Sequence, residues 1–329
     1  MYNKFGDIMK KPSFLTDNDY IGITACSCGV LDKIDAYEDS LNKLNNYNII
    51  ETSNVRTNGI VSSDINTRVN ELKELYLNKD VKCIMVASGG DFAFELLDSI
   101  DYDAIKNNIK WICGSSDPTS ILYTITTKLD VATICSPCNM GGLRADHISI
   151  YNYLNILKGN LVKQYKSDKY ESKMNKNKDY ILDKDNIWLS NKDIDREGIL
   201  IGGCIECLKD IIGTKYDGTK EFINKYKDEG VIWYFDIFSM SSEALYNTLL
   251  QFKYAGYFEY TKLIVFGKVC FPSSYLNLEY SDMIKKALGD IDYIINFDIG
   301  HIKPSFTMIN GFKVRIINNK KESSMEYIN

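Results

Sequence analysis

The chain has 329 residues, 45% of them apolar, with 23 Tyr and 14 Phe; that is enough material for two cores of ordinary domain size and excludes wholesale disorder. A net charge of −5 speaks against a partner that is nucleic acid or an anionic membrane surface. No apolar run approaches the roughly 18 residues a membrane span needs, and "MYNKFGDIMKKPSFLTDNDY" at the N-terminus lacks the apolar region of an export signal. The expectation is a cytoplasmic protein whose nine cysteines are reduced thiols.

From Tyr20 the elements alternate. "YIGITAC" reads as a buried strand, "DAYEDSLNKLNNYN" as a polar helix and "NIIETSNV" as a strand. "DINTRVNELKELYLN" sets Val69, Leu72 and Tyr76 on one helical face, with Asp64 or Asn66 at its start. Next come the strand "VKCIMVAS", the Gly pair of "SGGD", a short helix "FAFELLDSI", the strand "KWIC", the helix "TSILYTITTKL", the strand "VATIC" and the helix "HISIYNYLNILKG". Such alternation predicts a parallel sheet with helices on both faces. Residues 163–185 are Lys-rich and poor in apolar periodicity. They read as a charged linker between an N-terminal α/β domain (1–162) and a smaller C-terminal β/α domain (186–329), or as a loop over an active site. Beyond them, "GILIGGCIECLKDII" is a strand turning into a helix, "GVIWYFDIF" a strand and "SSEALYNTLLQFKYAG" a helix. "KLIVFGKVCF" and "YIINFDIG" read as strands, and Asn310-Gly311 predicts a hairpin turn.

The chemistry begins at "WICGSSDPTSILYTI". A strand that turns abruptly into a helix exposes the turn residue at the carboxyl edge of the sheet, as in a nucleophile elbow. The alternative is that Ser115, Ser116 and Asp117 cap the following helix, with Pro118 in its first turn. A serine nucleophile needs a base, and the chain has two histidines. His147 opens a helix, whereas His301, after a strand and a Gly in "IINFDIGHIKP", is the better candidate. Asp236 interrupts the apolar strand "VIWYFDIF", and a buried carboxylate requires a partner; Asp298 is its rival. Gly89 and Gly90 end another strand and offer unobstructed backbone N–H groups. Cys135 and Cys138 ("CSPC") with Cys204 and Cys207 ("CIEC") have zinc-site spacing without the context of a zinc ribbon, so no metal or other cofactor is expected.

Taken together these segments resemble the LD-carboxypeptidase family of serine peptidases, including its microcin-immunity branch, over roughly Tyr20 to Asn318. "SGGDFAFELLDSIDYDAIKNNIKWICGSSDPTSILYTITT" is similar to the family's Gly-Gly strand end followed by its K-W-x-x-G-Y-S-D-x-T segment. "LIGGCIECLKDIIGT" is similar to the opening of its second domain, "GVIWYFDIF" to the strand bearing its glutamate, and "FDIGH" to the segment bearing its histidine. The resemblance implies Ser116 as nucleophile, His301 as base, Asp236 in the glutamate's place, and the N–H groups of Gly90 and Asp117 as an oxyanion hole. It also implies a flavodoxin-like first domain, a smaller swivelling second domain, no metal, and a homodimer. The substrate would be a muropeptide tetrapeptide, as in wall recycling, or an aminoacyl nucleotide related to microcin C. A ligand-binding relative without turnover is the alternative. This chain departs from the pattern in Asp236 for Glu, Ser115 for an aromatic residue and Ile109 for Pro. Trp188, Arg68 and Lys268 are further candidates for substrate contact, the first by stacking and the cations by pairing with a carboxylate.

Overall fold

The computed structural model describes residues 9–175 and 177–328. Residues 1–8, part of the stretch read for an export signal, Lys176 of the charged segment and Asn329 lie outside the described residues. In the first half, strands β1 (Tyr20–Thr24), β2 (Asn48–Glu51), β3 (Val81–Val86), β4 (Trp111–Gly114) and β5 (Thr133–Cys135) alternate with helices. These helices are α1 (Ile34–Leu41), α2 (Ile65–Leu77), α3 (Tyr102–Asn107) and α4 (Thr119–Leu129), with α5 (Ile148–Leu157) after β5. The strands pair in parallel in the order β2-β1-β3-β4-β5, which is the flavodoxin-like order. Asp64 caps α2 by accepting from Thr67 N at 3.0 Å. All four residues of β4 are buried, as a central strand covered on both faces requires.

The second half opens with β6 (Gln164–Tyr165), β7 (Lys169–Tyr170), β8 (Lys184–Asp185), β9 (Leu189–Ser190) and the long β10 (Ile194–Cys204). There follow α6 (Ile205–Ile211), α7 (Thr219–Lys225), β11 (Val231–Asp236), α8 (Ser242–Tyr254), β12 (Thr261–Gly267), α9 (Tyr280–Leu288) and β13 (Tyr293–Phe297). The last strands are β14 (Met308–Asn310), β15 (Lys313–Asn318) and β16 (Ser323–Tyr327). The second sheet runs β6-β16-β15-β10-β11-β12-β13-β9, with β10 to β13 parallel and its flanks antiparallel. Helices α3, α7 and α9 go beyond the elements expected from the sequence.

Asn310-Gly311 does not close a hairpin. β14 pairs with β5 in the first sheet, whereas β15 pairs with β10 in the second. β10 claims the turn: Gly202 N donates to Asn310 Oδ1 at 3.1 Å, and Gly311 N to Leu200 O at 2.8 Å. Nor is 163–185 a bare linker. β6 joins β16 at the edge of the second sheet, and β7 and β8 form a two-stranded ladder that projects residues 171–175 and 177–183 as an arm. The arm has its own ties: Glu171, buried, accepts from Asn175 Nδ2 at 2.5 Å and Ile181 N at 3.0 Å, and Asp183 accepts from Ser172 N and Oγ at 2.7 and 2.6 Å.

Helix α4 lies between the two halves. Residues 119–127 are all buried, the pattern of a helix covered on every side. Its hydroxyls find internal partners. Thr126 bonds Thr133 at 2.9 Å, Thr127 donates to Tyr123 O at 2.9 Å, and Thr119 Oγ1 accepts from Cys204 N at 3.1 Å. Tyr123 stacks on Trp233 of β11 at 6.4 Å and bonds Thr219 at 2.7 Å. Trp233 is fully buried among Phe235, Phe252 and Phe258, so the helix that follows the elbow is seated on the core of the other sheet.

Candidate active site

Between the end of β4 and the start of α4 the chain reverses in four residues, and Ser116 takes φ +65°. A non-glycine residue held there costs about 1–3 kcal/mol and persists only where its surroundings impose it. Capping does not explain the letters: α4 starts on Pro118 with no side-chain cap. Ser115 Oγ donates instead to Asn139 Oδ1 at 2.8 Å, and Asp117 Oδ2 accepts from Ala93 N at 2.8 Å. The third side chain, Ser116, is turned into the interior of a cavity.

There Ser116 Oγ lies 3.0 Å from His301 Nε2. On the other side of the ring, Nδ1 is 2.8 Å from Asp236 Oδ2, while the backbone N–H of His301 donates to Asp236 Oδ1 at 3.3 Å. The Nδ1 contact is close but not aligned as a well-directed hydrogen bond. Asp236 is the last residue of β11, and His301 follows β13, the strand two places away in the sheet. The shorter acid reaches the ring because of Gly300, whose φ is +98°. A Cβ there would stand 2.6 Å from Asp236 Cγ and closer still to Oδ1. Burial pushes the Asp236 carboxyl upward, but the charge and hydrogen bonds of His301, with Lys303, outweigh it and hold the group below its ordinary value. The rival, Asp298, is fully buried elsewhere. It accepts from Lys268 Nζ, Asn186 Nδ2 and Ser167 N at 2.7, 2.7 and 2.8 Å. His147 is the N-cap of α5, accepting from Ser149 N at 3.1 Å, with its ring 4.9 Å from Tyr180.

Gly90 (φ +151°) and Asp117 flank the serine, and neither backbone N–H donates to an acceptor among the described residues. A side chain at 90 would not fit, since its Cβ would lie 2.7 Å from Cys28 Sγ. Gly89 passes close to Ser116, its missing Cβ only 3.1 Å from that of the serine. Burial raises the Asp117 carboxyl pKa, against the lowering effect of bonds from Ser27 and the Ala93 N–H.

The cavity measures about 850 Å³ and is walled by both halves and by the arm. From the arm come Glu171, Met174, Asn175, Asn177, Lys178 and Tyr180; the carboxyl edge of the second sheet supplies Cys204, Phe238 and His301. Lys33, Arg144, Lys178 and Lys303 bring positive charge. Lys33 Nζ donates to Ser88 Oγ at 3.1 Å, and Lys303 Nζ to Gly300 O at 3.0 Å. Local pattern carried no signal for these cations, except that Lys303 is two residues from His301.

Four candidates for substrate contact, Arg68, Lys268, Trp188 and Ser115, fall outside the cavity lining, whereas Gly89 is part of it. Arg68 is buried, with Nη1 bonded to Cys26 O and Phe92 O at 3.1 and 3.0 Å and Nη2 paired with Glu95, so it fastens the loops after β1 and β3 to α2. Lys268 is spent on Asp298 and the carbonyl of Asn296. Trp188 is packed on Phe297, 4.2 Å between centroids, and on Phe306. Ser115 stays beside the site but faces Asn139. The four thiols of "CSPC" and "CIEC" form no metal-holding group, nor does any set of three or more His, Cys, Asp or Glu among the described residues.

Residues 21–136 match the LD-carboxypeptidase N-terminal domain, and residues 197–316 match the LD-carboxypeptidase C-terminal domain. The chain belongs to the LD-carboxypeptidase family. Among curated relatives of this LD-carboxypeptidase family chain, the microcin C7 self-immunity protein MccF of Escherichia coli is 26% identical over 280 residues, 80% of this chain and 79% of the relative. A putative carboxypeptidase of Vibrio cholerae is 38% identical over 76 residues, 23% of each chain. Solved structures agree in fold. MccF in complex with aspartyl sulfamoyl adenosine superposes with a TM-score of 0.81 at 21% identity, covering 98% of this chain and 99% of that one. The muramoyltetrapeptide carboxypeptidase of Oxalobacter formigenes gives 0.73 at 18% identity, covering 94% and 99%. No helix among the described residues is long and apolar enough to cross a membrane.

Proposed function

We propose that the protein is a serine-type hydrolase of amide bonds, with Ser116 as nucleophile, His301 as general base and acid, and Asp236 orienting the imidazole and balancing its charge. The observation that carries this reading is the line from Asp236 Oδ2 to His301 Nδ1 (2.8 Å) and from His301 Nε2 to Ser116 Oγ (3.0 Å), built on three separate strand ends. His301 Nε2 takes the Ser116 proton as Oγ attacks the substrate carbonyl. The N–H groups of Gly90 and Asp117 receive the developing oxyanion, the interaction whose loss in such sites costs about 10²–10³-fold in kcat. His301 then gives the proton to the leaving amine, and water releases the acyl-enzyme by the same path.

The substrate is an L,D-peptide bond of a muropeptide or the amide of an aminoacyl nucleotide, and the cations around the cavity suit the carboxylate or phosphate-like groups of either. The longer curated similarity, to MccF, favours the nucleotide. The same reading takes the protein to be a cytoplasmic homodimer, and wall recycling is its setting if the muropeptide is the substrate. Incubation with a muropeptide tetrapeptide and an aminoacyl-sulfamoyl adenosine, followed by mass spectrometry against Ser116→Ala, decides it. Loss of one substrate with wild type alone supports the hydrolase and selects the branch. Survival of both, with binding intact, makes the protein a ligand-binding relative without turnover.

A further inference from the structure

Of the two C-x-x-C pairs, "CIEC" lies in the site and has no part in the chemistry above. Cys204 ends β10, and Cys207 lies in the first turn of α6. Residues three apart at a helix start bring their side chains together at a spacing a disulfide can bridge. Both line the cavity. Cys204 is the N-cap of α6, and the neighbouring Cys207 thiol, followed by burial, pushes the Cys204 thiol well above its ordinary value. Cys204 is buried, whereas Cys207 is part-exposed and so reachable from the cavity.

Each thiol is wired to the reacting groups. Cys207 Sγ faces the carbonyl oxygen of Ser116 at 3.9 Å. Cys204 Sγ donates to Glu206 Oε2 at 3.2 Å. The other oxygen of Glu206 accepts from three successive backbone N–H groups, Phe238 and Ser239 at 2.9 Å and Met240 at 3.0 Å. That turn follows Asp236 directly, and the Phe238 ring rests on the His301 ring, 4.6 Å between centroids. Drawing Cys204 toward Cys207 removes the thiol from Glu206 and changes the contact under Ser116, which disturbs both ends of the triad. A contrast lies in the first core, where Cys83 and Cys113 Sγ are 3.7 Å apart but both buried.

We propose that Cys204 and Cys207 are a redox-active dithiol, oxidised by a low-molecular-weight disulfide that enters the cavity, and that their disulfide slows acylation of Ser116. The Cys207 thiolate attacks one sulfur of the oxidant; the oxidant's S–S bond breaks and one thiol leaves. Cys204 then attacks the Cys207 sulfur of the mixed disulfide and expels the second thiol. Two electrons pass from the protein pair to the oxidant, which departs as two thiols, and both cysteine protons are released to solvent or to those products. In a reducing compartment such a bond is transient, which suits a sensor rather than a structural staple.

The kinetic half of this inference rests on the proposed hydrolase; the disulfide half does not. The full-length protein is incubated with glutathione disulfide, its free thiols are alkylated, and the peptides are mapped by mass. Turnover of aminoacyl-sulfamoyl adenosine and of muropeptide tetrapeptide is followed in parallel. The expected result is a Cys204–Cys207 linked peptide, with Cys83 and Cys113 still free. Turnover falls by about tenfold to 100-fold, the scale on which ångström shifts of reacting groups act, and returns with dithiothreitol. Cys204→Ser and Cys207→Ser each show the same turnover before and after oxidant. Free alkylated thiols at both positions after prolonged exposure overturn the dithiol, as does a stable mixed disulfide on Cys207. A linked protein that turns over at the reduced rate overturns its effect on catalysis. If reduced wild type hydrolyses neither substrate, it is the hydrolase reading that fails, and the peptide map still decides the dithiol.

Discussion

Gly300→Ala tests whether the short acid works because a glycine makes room for it. The added Cβ would sit 2.6 Å from Asp236 Cγ, inside any real carbon–carbon contact, and at φ +98° the backbone is unfavourable for alanine as well. Relief requires either residue 300 to move, carrying His301 with it, or Asp236 to swing off the ring. Backbone strain of this kind costs about 1–3 kcal/mol, and a melting curve reads that cost. The catalytic cost is larger: loss of a correctly placed acid in a serine triad lowers kcat by about 10⁴-fold, or about 5.4 kcal/mol. A displaced but still charged Asp236 retains part of this, so the expected fall in kcat is about 10²–10⁴-fold. KM stays within about threefold, because residue 300 is not itself on the cavity wall. The assay is steady-state hydrolysis of whichever substrate the wild type consumes, with circular dichroism to show that the variant is folded. A folded Gly300→Ala protein with kcat within about threefold of wild type refutes the argument, since the Asp236–His301 contact would then be dispensable or differently made.

Other expectations follow from the same geometry. Arg68→Met loses two carbonyl partners and Glu95, so stability falls by about 2–3 kcal/mol in denaturant titration while KM is unchanged; a raised KM at normal stability would return Arg68 to substrate binding. Glu171→Ala frees Asn175 and Ile181, so KM rises about tenfold with little change in kcat, and amide exchange quickens across 171–183; unchanged exchange would mean the arm is held by other ties. For Asp236, burial raises the carboxyl pKa but His301 and Lys303 hold it lower overall. A carboxyl depressed on folding stabilises the protein fully above its unfolded value, about 3.9, and this is lost as pH falls through the folded value. The stability gap between wild type and Asp236→Asn therefore narrows below about pH 4 in thermal melts, and a gap constant from pH 6 to 3 contradicts the pairing.

Much of the fold was legible because the elements of the first sheet are short, apolar and separated by amphipathic runs of helical period, which leaves few arrangements open. The end of the chain was less so. "TMINGFKVRII" has the local chemistry of a hairpin, but β5 and β10 each offer an unpaired edge, and tertiary pairing outweighs turn propensity. Ser116, His301 and Asp236 could be singled out one by one, from an abrupt strand-to-helix turn that capping explained equally well, from the scarcity of histidine and from an acid in an apolar strand. The cations could not. Arg68 and Lys33 look alike in a sequence, and only the packing of loops after β1 and β3 turns the first inward to carbonyl groups and leaves the second at the cavity. Gly300 reads as an ordinary turn residue until the carboxylate beside it is seen.

His301 sits on a span of chain whose two ends belong to different sheets: β13 precedes it in the second, and β14 follows it in the first. The two halves are thus sewn together by the segment that carries His301. Neither half can be swapped for a relative's, or expressed by a cut between them, without taking a strand from one sheet or the histidine from the other. A tilt of one sheet against the other would therefore pull on the segment between them that holds the imidazole.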